Sequence, residues 1–397
     1  MAAMSLTHAI RLSRRTLPPF ATVGIFWGAF AAYTPQLKAG IGADDGTWGL
    51  VLLGAAIGSI SAMWLAPRAD ARFGRAAMAL GCLLLGVMFQ APMWAGGVLT
   101  FAAAMVLAGG AAGLLDVVMN ARLSAIEART GASLMNLNHA TFSLAYGTSA
   151  LLAGLLRDGG TAPAITFTGL GLLAVVFGAI ALQRELPPPV KGEAPPPRVA
   201  LPPVALWGGL IILLAFLAEQ ATEAWSALHI ERTLGGGAAE GAIGPAMLGF
   251  TMCAGRLAGQ FATAHVSEAR LTTLAALVTA AGALLAALAP TPLVAYAGFG
   301  ILGLGVSVIA PMVFALAGRL SPPDLRPAVI SRAAVIGYTG FFIGPPLLGA
   351  ISEAAGLRMA FVAVGLLVAL APLLLIPLRA SAAKSEDNQT EAPAEAR

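Results

Sequence analysis

Charge is what this 397-residue chain has least of: only 11% of it is Asp, Glu, Lys or Arg, against about 25% in an ordinary soluble domain. Cysteine is almost missing, and Cys82 and Cys253 fall in separate apolar runs. That spacing excludes a disulfide framework or a CxxC metal site. Lysine occurs only at Lys38, Lys191 and Lys384, which follow Leu, Val and Ala. No Gly-Lys-[Ser/Thr] phosphate loop exists, so ATP cannot power the chain directly. None of the four histidines opens an HExxH, and no G-x-S-x-G occurs, which removes the common hydrolase signatures and leaves no enzyme reading. The net charge of +4 is not gathered into a basic domain, so no nucleic-acid partner is expected. No cofactor or metal is implied.

What remains is apolar: 58% of the chain is hydrophobic. Its runs repeatedly reach the roughly 20 residues a helix needs to cross the hydrocarbon core, and strand-like alternation is never sustained. An all-α membrane protein follows. Breaking the chain at charges, prolines and glycine clusters predicts twelve spans: 18–37, 48–66, 76–95, 98–120, 134–156, 162–182, 203–228, 242–262, 270–289, 292–318, 328–351 and 358–378. RLSRRT ahead of the first run looks like the start of a signal peptide, but the run continues to Tyr33 and further spans follow. It reads as the first transmembrane helix.

Between the sixth and seventh spans lies QRELPPPVKGEAPPPRVALPP, too polar and proline-rich to cross a membrane. Four units are therefore expected: a six-helix bundle over 1–182, a linker over 183–203, a second six-helix bundle over 204–379, and a disordered tail over 380–397. GLLRD (154–158) and GAISE (349–353) end the fifth and eleventh spans at an offset of 195. With the even split about the linker, this predicts two pseudo-twofold-related halves with a solute site near the midplane. Lysine and arginine give the orientation. Alternate segments hold 17 of them, the intervening loops hold only Lys38, Arg157, Arg232 and Arg358, and Arg256 and Arg332 lie within spans. By the positive-inside bias both termini are cytoplasmic, in a bacterial-type inner membrane.

Several stretches carry a family resemblance. PRADARFGR (67–75) resembles the signature loop of the major facilitator superfamily, with Asp70, Arg72, Gly74 and Arg75 as its counterparts. GLLDVVMNARL, NLNHATFSLAYG and AEQATEAWS resemble the fourth-, fifth- and seventh-helix motifs of that superfamily's fucose-permease-like branch of proton symporters. The resemblance covers essentially the whole chain. It implies a two-bundle carrier, a gating role for the signature loop, and protonation and sugar binding at Asp116. The branch also has a first-helix acid four residues before a Pro-Gln, where this chain has Ala31.

The residues themselves mark the same places. An ionised aspartate at mid-bilayer costs about 2.5 to 3.5 kcal/mol on the lenient insertion scale, so embedded acids mark ion or substrate paths. Asp116 shares one stripe of the fourth helix with Gly109, Gly113 and Asn120, which aims both polar groups into the bundle. Asn136, His139, Ser143 and Tyr146 form a second stripe; Glu219, Thr222, Glu223 and Ser226 form a third, with Trp225 beside it. Asp116, Glu219 and Glu223 are the candidates for proton coupling, unless a late start to the seventh helix leaves the glutamates at its mouth. Two glutamates four apart repel when both are ionised.

Asn120, Asn136, His139, Ser143 and Tyr146 are candidates for solute contact, with Asn120 and His139 equally suited to bonding between helices. Trp27, Tyr33 and Trp225 suit either stacking on a solute or packing. Arg256 and Arg332 read as snorkelling or loop-pairing cations, and the glycines of GFGILGLG (298–305) as close helix packing. The expected partners are lipid, protons and a small polar solute, bound by a monomer. An exporter of amphipathic compounds and a sensor that binds without transporting are the alternatives.

Overall fold

The computed structural model describes residues 5–183, 202–262, 266–323 and 325–390. Regular structure among them is helical throughout. A short helix, α1 (Leu6–Ser13), is followed by α2 (Leu17–Gly40), α3 (Asp45–Phe73), α4 (Ala77–Met88), α5 (Val98–Thr130), α6 (Met135–Asp158) and α7 (Pro163–Ala181). The second half holds α8 (Pro203–Leu228), α9 (Ala238–Ala262), α10 (Glu268–Ala287), α11 (Pro292–Arg319), α12 (Arg326–Ala369) and α13 (Ala371–Thr390). Helices α7, α8 and α11 open on proline, where the missing N–H has no helical partner to lose. Asp44 caps α3 by accepting from the Thr47 N–H at 2.6 Å. That bonding holds its exposed carboxyl below the usual carboxylate range.

Among the described residues, seven helical stretches are long and apolar enough to cross a bilayer, and two of them, Asp45–Trp94 and Arg326–Ser381, contain two crossings each, broken at Gly74 and Gly356. The other three crossings are α2, α6 and α9. These less apolar helices pack against one another at the seam between the halves, where each is screened from lipid and polar groups cost least. Leu99, Leu293 and Ile376 point outward while Phe20, Trp48 and Trp225 are fully enclosed. Large apolar side chains thus face the acyl chains as well as the interior.

Within the first half α3 packs on α5, α2 on α6 and α4 on α7. In the second, α8 packs on α12 and α10 on α11. The halves meet along α6 with α9 and α3 with α12. Arg15 donates to the Ile180 carbonyl, and Gly208 lies against Leu378. The beginning and end of each half therefore share one end of the molecule, called here the terminal end; the opposite end is marked by Asp45.

The structure corrects three expectations. Asp70 and Arg72 lie not in a loop but in the last turn of α3, which ends only where Gly74 adopts a φ of 51°. The eleventh and twelfth spans are two helices within the stretch α12, meeting where Gly356 leaves the helical conformation with φ 84° and ψ 165°, inside the gap expected between 351 and 358. Only glycine adopts that conformation at no steric cost. Helical backbone runs to Thr390, past the expected start of the tail at 380, because the alanines of ASAAK favour helix. Helix α1 was not foreseen, since eight residues fall below the length that hydropathy detects. Of the linker expected over 183–203, residues 184–201 lie outside the described residues, as do 391–397 of the tail.

Close approach needs small residues. A Cβ on Gly298 of α11 would stand 2.8 Å from the Ala286 Cα of α10. Gly298→Val is expected to destabilise the purified protein by about 1 to 3 kcal/mol, the usual cost of overpacking. Gly169, with nothing within 4 Å of the same position, is the control: Gly169→Ala is expected to leave the melting temperature unchanged or raised.

Candidate solute and ion site

Two of the three predicted stripes, those of α6 and α8, meet, and a residue outside them joins them. Arg256, on α9, donates through Nη1 to the His139 carbonyl at 3.1 Å and to the Ser143 hydroxyl. Through Nη2 it pairs with Glu219 of α8 at 3.5 Å. Its guanidinium also lies 6.0 Å from the centre of the Phe142 ring, within cation–π range. Two helices of the second half and one of the first are thus tied at one point. Arg256 is no snorkelling cation, which corrects the sequence reading. Glu219 is buried, and Glu223 lies within electrostatic reach of both Glu219 and Arg256. Neither glutamate is at a helix mouth, because α8 continues through a π turn, His229–Thr233, beyond them.

Asp116 accepts from the Asn120 side-chain amide at 3.1 Å; the same amide also bonds the Asp116 carbonyl at 2.9 Å. Asn120 is therefore a partner of the acid within its own helix. Gly113 sits so close to α3 that a Cβ would stand 2.7 Å from the Ser59 Cα, and this contact sets the rotation of α5. Across the seam, Tyr338 of α12 lies within electrostatic reach of Asp116 and Glu219 together. Tyr146 is buried, its hydroxyl without a hydrogen-bond partner among the described residues, and it lies within reach of Glu219 and Glu223.

Other candidates lie apart. The His139 ring packs edge-on against Phe20 at 5.0 Å, so its carbonyl, not its imidazole, serves the cluster. Asn136 stands half-buried in the first turn of α6. Trp27 packs edge-on against Phe89 and Phe30. Tyr33 is spent inside the first half, its hydroxyl donating to the Thr161 carbonyl at 2.9 Å and meeting Thr166 at 2.8 Å. Trp225 is fully buried, with its indole N–H unpartnered among the described residues.

Charged groups hold both ends. At the terminal end Asp70 pairs with Arg122 at 2.5 Å, and Arg122 also bonds the Gly74 carbonyl. The backbone carbonyl of Arg75 accepts from the Gln183 N–H at 3.2 Å, while Arg72 is exposed. Arg319 and Glu268 pair at 2.5 Å in the second half, standing 197 and 198 positions after Arg122 and Asp70. That repeat matches the internal offset seen in the sequence.

At the opposite end Asp45 receives Arg232 at 2.5 Å, Lys38 at 2.9 Å and the Ser352 hydroxyl at 2.5 Å. Its own N–H donates to Glu353 at 2.9 Å. Arg157 pairs with Glu231. Each half thus ends a helix (α6 or α12) on the other's loop, around a recess of about 500 Å³ lined in part by Lys38, Asp45, Arg232 and Glu353.

The profile of the Major Facilitator Superfamily matches residues 20–299 and 261–397. The chain is 29% identical over 370 residues to an uncharacterized MFS-type transporter of Yersinia pestis, covering 88% of this chain and 91% of that one. It is 28% identical over 362 residues to the membrane protein MosC of Rhizobium meliloti, covering 88% and 86%. Its fold superposes on a bacterial homolog of the human lysosomal transporter Spinster, solved in an inward-facing and occupied conformation, with a TM-score of 0.75 at 14% identity over 96% and 98% of the two chains. A D-xylose-proton symporter superposes with a TM-score of 0.72 at 13% identity, over 94% and 97%.

Proposed function

Because the chain belongs to the Major Facilitator Superfamily, we propose that this secondary transporter is proton-coupled and carries a small polar, hydroxylated solute across the inner membrane by alternating access. The observation that carries this reading is the seam cluster: Arg256 joins Glu219 to Ser143 of the opposite half, with Glu223 in reach of both charges and Tyr338 standing in reach of Glu219 and Asp116. An acid in a low-dielectric seam resists ionisation unless a cation or water reaches it. Proton loading and rocking of the halves would therefore act on the same contacts. Signature-loop residues Asp70, Arg72, Gly74 and Arg75 gate the terminal end.

The positive-inside bias puts the terminal end in the cytoplasm. Among the described residues, hydrogen bonds between the halves cluster at the Asp45 end and the midplane, which supports a conformation closed at the Asp45 end. Export of amphipathic compounds is the second reading, favoured by the stacked rings of Phe216, Tyr338 and Phe341 beside the cluster.

Asp116→Asn in proteoliposomes tests the coupling. It is expected to abolish uptake driven by a pH gradient while leaving counterflow exchange of the same solute intact. Undiminished gradient-driven uptake by the variant would remove Asp116 from the mechanism.

A further inference from the structure

The charges at the seam do not balance. Two carboxyl groups, Glu219 and Glu223, face one guanidinium, and Arg256 is already committed to Glu219, Ser143 and the His139 carbonyl; a third, Asp116, lies with Glu219 in reach of Tyr338. Asp116 has only the Asn120 amide. Glu223 makes no hydrogen bond or ion pair among the described residues, and both side chains are only part-buried. The shortfall is one or two positive charges.

An aromatic wall lies on the same seam. Phe216 of α8 stacks on Phe341 at 4.7 Å and on Tyr338 at 5.4 Å. Phe216 precedes Glu219 by three residues, hence on the same helix face, and Tyr338 is 41% exposed while within reach of Asp116. Ring faces attract cations, most strongly where water is excluded. The Tyr146 hydroxyl adds an independent pointer: it is 2% exposed, lacks a partner among the described residues, and lies beside Glu219 and Glu223. An uncommitted buried hydroxyl is costly unless a ligand or water satisfies it.

We propose that the solute carries a protonated amine, held against the Phe216–Tyr338–Phe341 wall by the carboxylates that flank it, Asp116 beside Tyr338 and Glu223 on the helix of Phe216, with the Tyr146 hydroxyl as a further hydrogen-bond partner. An anionic solute would have to strip Arg256 from three partners and then face two unpaired carboxylates. A neutral one would leave the shortfall to protons alone, whereas an amine supplies the missing charge itself. This inference rests on the transporter reading above for its site, and it names the chemical class that the site takes.

Binding to the purified full-length protein, in detergent and without any gradient, tests it apart from transport. Two matched series serve as probes: glucosamine, glucose and glucuronate; and phenethylamine, phenethyl alcohol and phenylpropionate. The amine of at least one series is expected to bind ten-fold or more tightly than its alcohol and carboxylate. In Glu223→Gln and in Asp116→Asn that margin is expected to shrink below three-fold, with the neutral member's affinity little changed. Equal or better binding of the alcohol or carboxylate, no amine binding in either series, or a margin that survives in both variants would overturn the proposal. If amine binding holds but no gradient drives flux in proteoliposomes, the transport mechanism fails and the ligand class stands. If a neutral solute is carried and no amine binds, the reverse holds.

Discussion

Arg256→Ala is expected to lower the stability of the purified protein by about 3 to 5 kcal/mol, the usual cost of stranding one member of a buried ion pair. The partner left behind is Glu219, buried and 3.5 Å from the guanidinium, while Ser143 and the His139 carbonyl lose a donor. Removing both charges has a different outcome. Arg256→Gln with Glu219→Gln is expected to recover most of the loss, because the cost belongs to the leftover charge more than to the missing attraction. Thermal melts of the single and double variants check this. Equal destabilisation in both would mean that Arg256 acts through packing alone.

Asp45→Ala should shift the conformational balance more than any other single change at its end of the molecule. One carboxylate receives Lys38 and Arg232 and accepts from Ser352, so its removal leaves two cations facing each other with nothing between them. A loss of about 3 kcal/mol from the closed arrangement changes a two-state ratio more than a hundredfold. Spin labels at Gly96→Cys and Ala355→Cys, in a background lacking Cys82 and Cys253, report the separation of the halves. The variant is expected to show a dominant longer distance where the parent shows the shorter one. Asp44→Ala, which removes only the cap on Thr47, is expected to leave the distances unchanged. An unaltered distribution in Asp45→Ala would remove this carboxylate from the closure.

The crossings were legible because prolines, glycines and charges punctuate long apolar runs, and because the distribution of arginine and lysine fixes their parity. The break at Gly356 was legible as well, since Ser352, Glu353 and Arg358 stand around it between two apolar runs. Among site residues, Asp116 and Asn120 could be paired by helical spacing alone, and the structure pairs them. Arg256 could not be placed, because its partners stand 37 and 113 positions away and two of them are on the other half. A carboxylate and a guanidinium each isolated in apolar surroundings, on helices destined to meet, are the signal that would have found it. Tyr33 shows the opposite limit. Its helix faces the seam, yet its hydroxyl turns toward α7, where Thr166 and the Thr161 carbonyl satisfy it; nothing local to α2 records that choice.

The eleventh crossing passes into the twelfth at the non-helical Gly356, and Ser352 and Glu353, which grip the Asp45 region, sit four and three residues before that break. There is no slack between grip and elbow. Letting go of Asp45 therefore pulls directly on the start of the twelfth crossing, because no loop lies between them to absorb the movement. Lengthening that corner by a few residues would uncouple the two rods while leaving every contact at the seam in place.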